Sequence, residues 1–148
     1  MLINHKRKKM KHLLTMVIIL FFGILTYNCS RNKVTIEEAY FKSELQDQKS
    51  QDIYRADGGH TFLIVKLELK TGDFATADFS IHTRNGSVYK AVGYLLGNSV
   101  MMGNLSQTGE SGKYVRNVIF CIPNIEKQNI LGLQFKDNQL ISVSIQNK

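Results

Sequence analysis

Proline occurs once in this chain of 148 residues and cysteine twice, and no acidic residue precedes Glu37. Each scarcity removes a class of protein. Cys29 and Cys121 are too few for a disulfide framework and lack the CxxC spacing of a zinc or redox site. After Cys29 the histidines are His60 and His82, which stand in no HxH or HExxH pattern, and no serine sits in a Gly-x-Ser-x-Gly turn. Asp57 and His60 could offer two ligands from one loop, but a histidine just before a strand is ordinarily a plain polar residue. No metal, cofactor or catalytic group is therefore expected. The reading is a non-enzyme, with a small enzyme of dispersed site as the alternative from another class.

Charge of one sign is concentrated at one end. The formal net charge is +7, yet Lys6, Arg7, Lys8, Lys9 and Lys11 supply five of those charges, leaving 14 basic against 12 acidic residues beyond them. The later charges are scattered among polar and apolar positions, so no nucleic-acid footprint is expected.

The basic cluster precedes an apolar run from Leu13 to Leu25, broken by Thr15 and Gly23. A charged segment followed by a short apolar one is the pattern of an export signal. Thirteen helical residues reach only about 20 Å, well short of the ~30 Å hydrocarbon layer, which favours a processed signal over a permanent span. The run ends Leu25-Thr26-Tyr27-Asn28-Cys29, without the small residues of an A-x-A cleavage site. This segment resembles the lipobox of bacterial lipoproteins, in which the cysteine is acylated on sulfur and becomes the mature N-terminus. The resemblance implies Cys29 as the lipid-attachment residue and the membrane as a partner through that anchor. Acyl chains contribute about 0.8 kcal/mol per buried CH₂, so two or more hold a domain stably at a bilayer. An uncleaved signal anchor and ordinary cleavage remain as alternatives. In each case the basic flank stays cytoplasmic and the rest faces the periplasm or the cell exterior. Ser30 after the cysteine leans toward the outer membrane where the host has one.

The expected organisation is a signal over residues 1–28, a tether over 29–33 and one domain over 34–148, since about 120 residues suit a single core. Within that domain, Val34 to Phe41 reads as a first strand. Lys42 to Gly59 is polar and reads as a surface loop, with a helical turn near Glu38 to Gln48 as an option. Thr61 to Lys70 has the clearest period of two: Leu63, Val65, Leu67 and Leu69 share one face, and Lys66, Glu68 and Lys70 the other. Phe62 and Ile64 make its first half apolar on both faces. Ala77 to Thr83 and Ser87 to Val92 flank Arg84-Asn85-Gly86, which predicts a hairpin with a type I′ turn. From Gly93 to Gly112 five glycines interrupt the chain, in neither the dinucleotide nor the P-loop pattern, and long regular elements are not expected. Lys113 to Ile122, closed by Pro123, then Ile130 to Lys136 and Leu140 to Ile145 complete the strands, with Asp137-Asn138 as the last turn. The fold class is all-β: an antiparallel sandwich of about seven to eight strands, preceded by the N-terminal signal or anchor helix.

Three stretches carry a resemblance: Phe62 to Leu69 with Lys70-Thr71-Gly72; Asp78-Phe79-Ser80-Ile81 leading to Asn85-Gly86-Ser87-Val88-Tyr89; and Gly112 through Val118-Ile119-Phe120-Cys121-Ile122-Pro123. Over about residues 34–146 the chain resembles a telokin-like, immunoglobulin-type domain of the kind found in bacterial lipoproteins and secreted antigens. The resemblance implies an immunoglobulin-like β-sandwich hung from the cell envelope and no shared catalytic constellation. Function is then expected to be a non-catalytic binding or interaction module, with another envelope protein as the partner. A signal-anchored accessory subunit of a membrane complex is the alternative. Tyr94, Leu95, Leu96, Val100, Met101 and Met102 are more apolar than a solvated loop requires and form the expected partner-binding patch, against the alternative of a distorted strand tucked at the sandwich edge. Cys121, in an apolar strand, reads as a small buried hydrophobe. A Cys29 to Cys121 disulfide is open to an oxidising compartment, but acylation of Cys29 would exclude it.

Overall fold

The structure, a computed structural model, describes residues 34–70, 73–109 and 112–146. The expected N-terminal helix, Cys29 and the tether lie outside the described residues. Lys33–Lys148 form one compact unit.

The chain is all-β. Its strands are β1 (Val34–Lys42), β2 (Glu44–Gln46), β3 (Ile53–Arg55), β4 (His60–Leu69), β5 (Phe74–Ala75), β6 (Phe79–Thr83), β7 (Val88–Leu96), β8 (Ser99–Met102), β9 (Ser106–Gln107), β10 (Tyr114–Pro123), β11 (Ile130–Phe135) and β12 (Ile141–Ser142), with single 3-10 turns at Thr76–Asp78 and Asn124–Glu126. Every pairing is antiparallel. The main path runs β1-β4-β10-β7-β6-β11-β12, with β8 added beside β7.

β4 organises this path because it is paired on both edges, with β10 along its whole length and with β1 from Phe62 to Leu69. Leu69 lies opposite Val34 on one side and Tyr114 on the other, and Phe62 opposite Lys42 and Cys121. Its period-two face behaves as the alternation predicts: Leu63, Val65, Leu67 and Leu69 are fully buried, beside Val118, Phe120 and Ile122 of β10. The facing layer contributes Phe79 and Ile81 of β6 and Ile130, Leu133 and Phe135 of β11. Side chains of this size each contribute about 1.5–3 kcal/mol on full burial.

β7 belongs to both layers. Val88 to Lys90 pair with β6, whereas Ala91 to Leu95 pair with β10. The register shifts where Gly93 faces Ile119 and Ala91 faces Phe120, so Val92 is one residue too many. Such a bulge bends a strand and increases its twist, which is how one strand turns the corner between packed layers. The last segment closes the other side: Gln146 donates its N–H to the carbonyl of Ala39 in β1 (2.8 Å), while Val143 and Ile145 pack on the core.

Two readings of the sequence are corrected here. Lys42 to Gly59 is neither a bare loop nor helical. It folds as the β2–β3 hairpin, with Glu44 opposite Arg55 and Gln46 opposite Ile53. Phe62 and Ile64 force this outcome, because the outer face of β4 is apolar too and needs a cover. The Asn-Gly hairpin forms between β6 and β7 as expected, but its turn is not type I′. Gly86 alone takes a positive φ (89°), and Asn85 does not. Gly86 N–H bonds to the Thr83 carbonyl (3.1 Å) and Thr83 N–H to that of Ser87 (3.0 Å), a longer loop with glycine in the left-handed position. Asn85 is held instead by side chains: Thr83 Oγ1 donates to its Oδ1, and its Nδ2 donates to the buried Glu126 (2.7 Å).

Gly93 serves close approach rather than a special φ. A Cβ there would sit 2.2 Å from the Met101 carbonyl oxygen, which is backbone and cannot move aside alone. Gly93→Ala is therefore expected to push β8 off β7 and to cost roughly 1–3 kcal/mol. Urea unfolding of the two proteins measures this, and an unchanged midpoint would refute the close-packing account.

Candidate functional site

The six residues of the expected patch do not form one surface. Strand alternation in the β7–β8 hairpin separates them. Tyr94 points into the main core and packs edge-on against Phe74 (centroids 5.7 Å apart), while Val100 joins a second cluster on the opposite side of the sheet. Leu95 and Met102 are half-buried against that second cluster, and Leu96 and Met101 are exposed at 51% and 36%.

The second cluster is the less usual feature of the domain. Phe62, Ile64 and Ile119 present an apolar outer face, and Leu45, Tyr54 and Ala56 from the β2–β3 segment lie over it. The hairpin shares no strand ladder with the main sheet, so a carboxylate holds it. Asp47 is 6% exposed. Its Oδ1 accepts the N–H groups of Lys49 (2.8 Å) and Ser50 (3.0 Å), and its Oδ2 accepts the buried N–H of Val100 in β8 (2.9 Å). Asp47 N–H also bonds to the Asp52 carbonyl (2.9 Å), and Gln48 N–H to that of Asn98 (3.1 Å). One side chain thus caps the hairpin turn and pins it to the β7–β8 turn. Bonds from the Ser50 and Val100 amides, outweighing desolvation, hold this carboxyl below its usual range.

Cys121 lies at the edge of this covered face, half-buried. Burial pushes its thiol up, and the negative charge of Asp57 adds to the effect. A thiol so placed is a poor nucleophile.

At the end of the sheet where β1 finishes and β4 begins, an open groove of about 380 Å³ is lined by Phe41, Lys42, Ser43, His60, Thr61, Asn124 and Lys127. Backbone pairing fixes its walls: Lys42 lies opposite Phe62, His60 opposite Pro123, Asn124 N–H bonds to the Gly59 carbonyl (2.8 Å), and Thr61 Oγ1 donates to the Lys42 carbonyl (3.1 Å). Sequence reasoning passed over Phe41, Lys42 and Lys127, because separate stretches of the chain meet there only through the sheet. The one available signal was His60 at a loop end. His60 and His82 are not brought together, since His82 sits on β6 with its Nε2 3.2 Å from Ser80 Oγ. Among the described residues no group of three or more His, Cys, Asp or Glu could hold a metal, and no helix is long and apolar enough to cross a membrane.

The Asp47 clamp makes a directional prediction. A carboxyl whose pKa is depressed by folding contributes stability above its unfolded pKa of about 3.9, and loses it as pH falls through the lower folded value. Acid below about pH 4 should therefore loosen the hairpin before the core. At neutral pH, Asp47→Ala should speed amide exchange at Val100 and Gln51 while leaving Val65 protected. Equal protection of Val100 in both proteins would contradict the clamp. Compared with protein-family models, with curated proteins and with solved structures, the chain matches none, so its function is argued from its own residues.

Proposed function

We propose that the chain is an exported lipoprotein whose domain is a non-catalytic binding module of immunoglobulin type, held at a membrane through acylated Cys29. The observation that carries this reading is the succession along the chain: a cationic cluster, a short apolar run ending at Cys29, and five residues later the first residue of β1. Five residues of extended chain reach at most about 17 Å, so the end of the sandwich where Val34 lies would stay near the lipid surface.

Strand order supports the immunoglobulin assignment. When β1, β4, β6, β7, β10, β11 and β12 are read as A to G, the path β1-β4-β10-β7 becomes A-B-E-D and β6-β11-β12 becomes C-F-G. That is the arrangement of the constant-type immunoglobulin sandwich. On this reading β2–β3 is an insertion between A and B, and β8 with β9 an insertion between D and E. The telokin-like resemblance agrees with it.

Metabolic labelling with a clickable palmitate tests the anchor. Label should enter the wild-type protein and be absent from Cys29→Ala, and the mature N-terminus read by mass spectrometry should be a modified Cys29. Label persisting in the variant, or an intact Met1 terminus, would overturn the lipoprotein reading, the latter in favour of a signal-anchored accessory subunit.

A further inference from the structure

We propose that Asn85 is a deamidation site guarded by Glu126, and that its conversion to aspartate unlatches the β6–β7 turn from the segment before β11. The proposal concerns the domain alone and stands whether or not Cys29 is acylated.

The Asn85-Gly86 step that marks the hairpin carries its own chemistry, and it is the one Asn-Gly pair in the chain. In deamidation the Gly86 backbone nitrogen attacks Asn85 Cγ. An N–Cγ bond forms, the Cγ–Nδ2 bond breaks, and Nδ2 takes up the Gly86 amide proton and leaves as ammonia. Water then opens the resulting cyclic imide. It gives aspartate when it adds at Cγ and isoaspartate when it adds at the main-chain carbonyl carbon of residue 85. Glycine favours the attack because no Cβ shields its nitrogen and its backbone rotates freely. Asn85 and Gly86 are both exposed, so water reaches them.

The fold holds each reacting group in a bond elsewhere. Gly86 N–H, the nucleophile, is committed to the Thr83 carbonyl (3.1 Å). Asn85 Nδ2, the leaving group, donates to Glu126 Oε1 (2.7 Å), and its Oδ1 accepts from Thr83 Oγ1 and from Ser87 N–H (3.3 Å). Glu126 is 5% exposed, and its Oε2 accepts from the Asn129 amide (3.1 Å). A bond to a buried carboxylate is among the stronger ones, so the reaction waits for the turn to open. Among the described residues no lysine or arginine forms an ion pair with Glu126. An aspartate at position 85 would therefore set a second carboxylate against the first where a donor had stood, and two such groups in contact disfavour each other's charge. Isoaspartate would lengthen the main chain by one carbon beside Gly86, already at a φ of 89°. Either product releases the contact between Asn85 and Glu126. The bond from Arg84 N–H to the Asn129 carbonyl (2.8 Å), which joins the same two segments, is the next to loosen.

The test uses the detergent-solubilised full chain, incubated at mildly alkaline pH either folded or unfolded in urea. Conversion is read by mass spectrometry on the Lys-C fragment spanning residues 71–90. Folded protein should convert Asn85 roughly tenfold or more slowly than unfolded protein, and E126A should recover much of the unfolded rate while Val65 stays protected from amide exchange. Equal rates in the two states, no conversion in urea, or a folded E126A as slow as the wild type would each overturn the guard. N85D reproduces the product. Its Arg84 and Gly86 amides should exchange roughly tenfold faster than in the wild type. N85D/E126Q should restore them, because the new amide at position 126 can donate to the carboxylate at 85 while its oxygen still accepts from Asn129. A defect of shape alone at position 85 would not be mended by this exchange of polarity. Wild-type exchange in N85D, or no recovery in N85D/E126Q, would overturn the unlatching. If E126A fails to fold, the wild-type rates and this pair of variants decide.

Discussion

A strand that is apolar on both faces must be covered twice, and β4 imposes that demand on the whole domain. Leu63, Val65, Leu67 and Leu69 face the second layer, while Phe62 and Ile64 face away from it. An ordinary two-layer sandwich covers only the first set. The second set explains why the chain leaves β1, makes a hairpin and returns before β4 begins. Where the hairpin ends, so does the apolar outer face: Lys66 and Glu68 take over and pair with Glu37 and Lys113. Hydrogen bonding to those carboxylates raises both Lys66 and Lys113 above the usual lysine range, consistent with a wetter half of the same face.

The cover is attached differently from the rest of the sheet. Strands of the main path are joined by continuous ladders, whereas β2–β3 relies on Leu45 and Tyr54 for apolar contact and on Asp47 for polar attachment. The buried N–H of Val100 would otherwise be left without a partner, at a cost larger than the bond itself returns, whereas the Lys49 and Ser50 amides belong to an exposed turn. A second carboxylate plays a comparable part elsewhere. Glu126, 5% exposed, takes the amides of Asn85 and Asn129 and ties the β6–β7 turn to the segment before β11. Both devices fasten loops that no ladder reaches.

Much of the main sheet was legible in the residues. The alternation from Thr61 to Lys70, the Asn-Gly signal at Asn85-Gly86 and the apolar run closed by Pro123 each mark an element that forms. The β2–β3 hairpin was not legible by the same means, because each of its strands is three residues long and carries one inward side chain, Leu45 or Tyr54. A period needs more than one repeat to be seen. The signal that was present lay in β4, in the apolar residues left over on its outer face. The segment from Gly93 to Leu96 was discounted for its glycine, yet that glycine is what lets β8 approach β7. The groove at the end of β1 was barely legible, with His60 its only hint.

Alone, the sequence determined the class of the fold and the separation of the cationic, apolar N-terminal segment from the domain, since both follow from local composition and period. Tertiary structure decided which side chains meet. Tyr94 and Val100 part company because successive strand residues point to opposite faces. Phe41 and Lys127 meet because β1 and the turn after β10 finish at the same end of the sheet. Such encounters depend on register across the sheet, and register is a property of pairs of strands that no single segment carries.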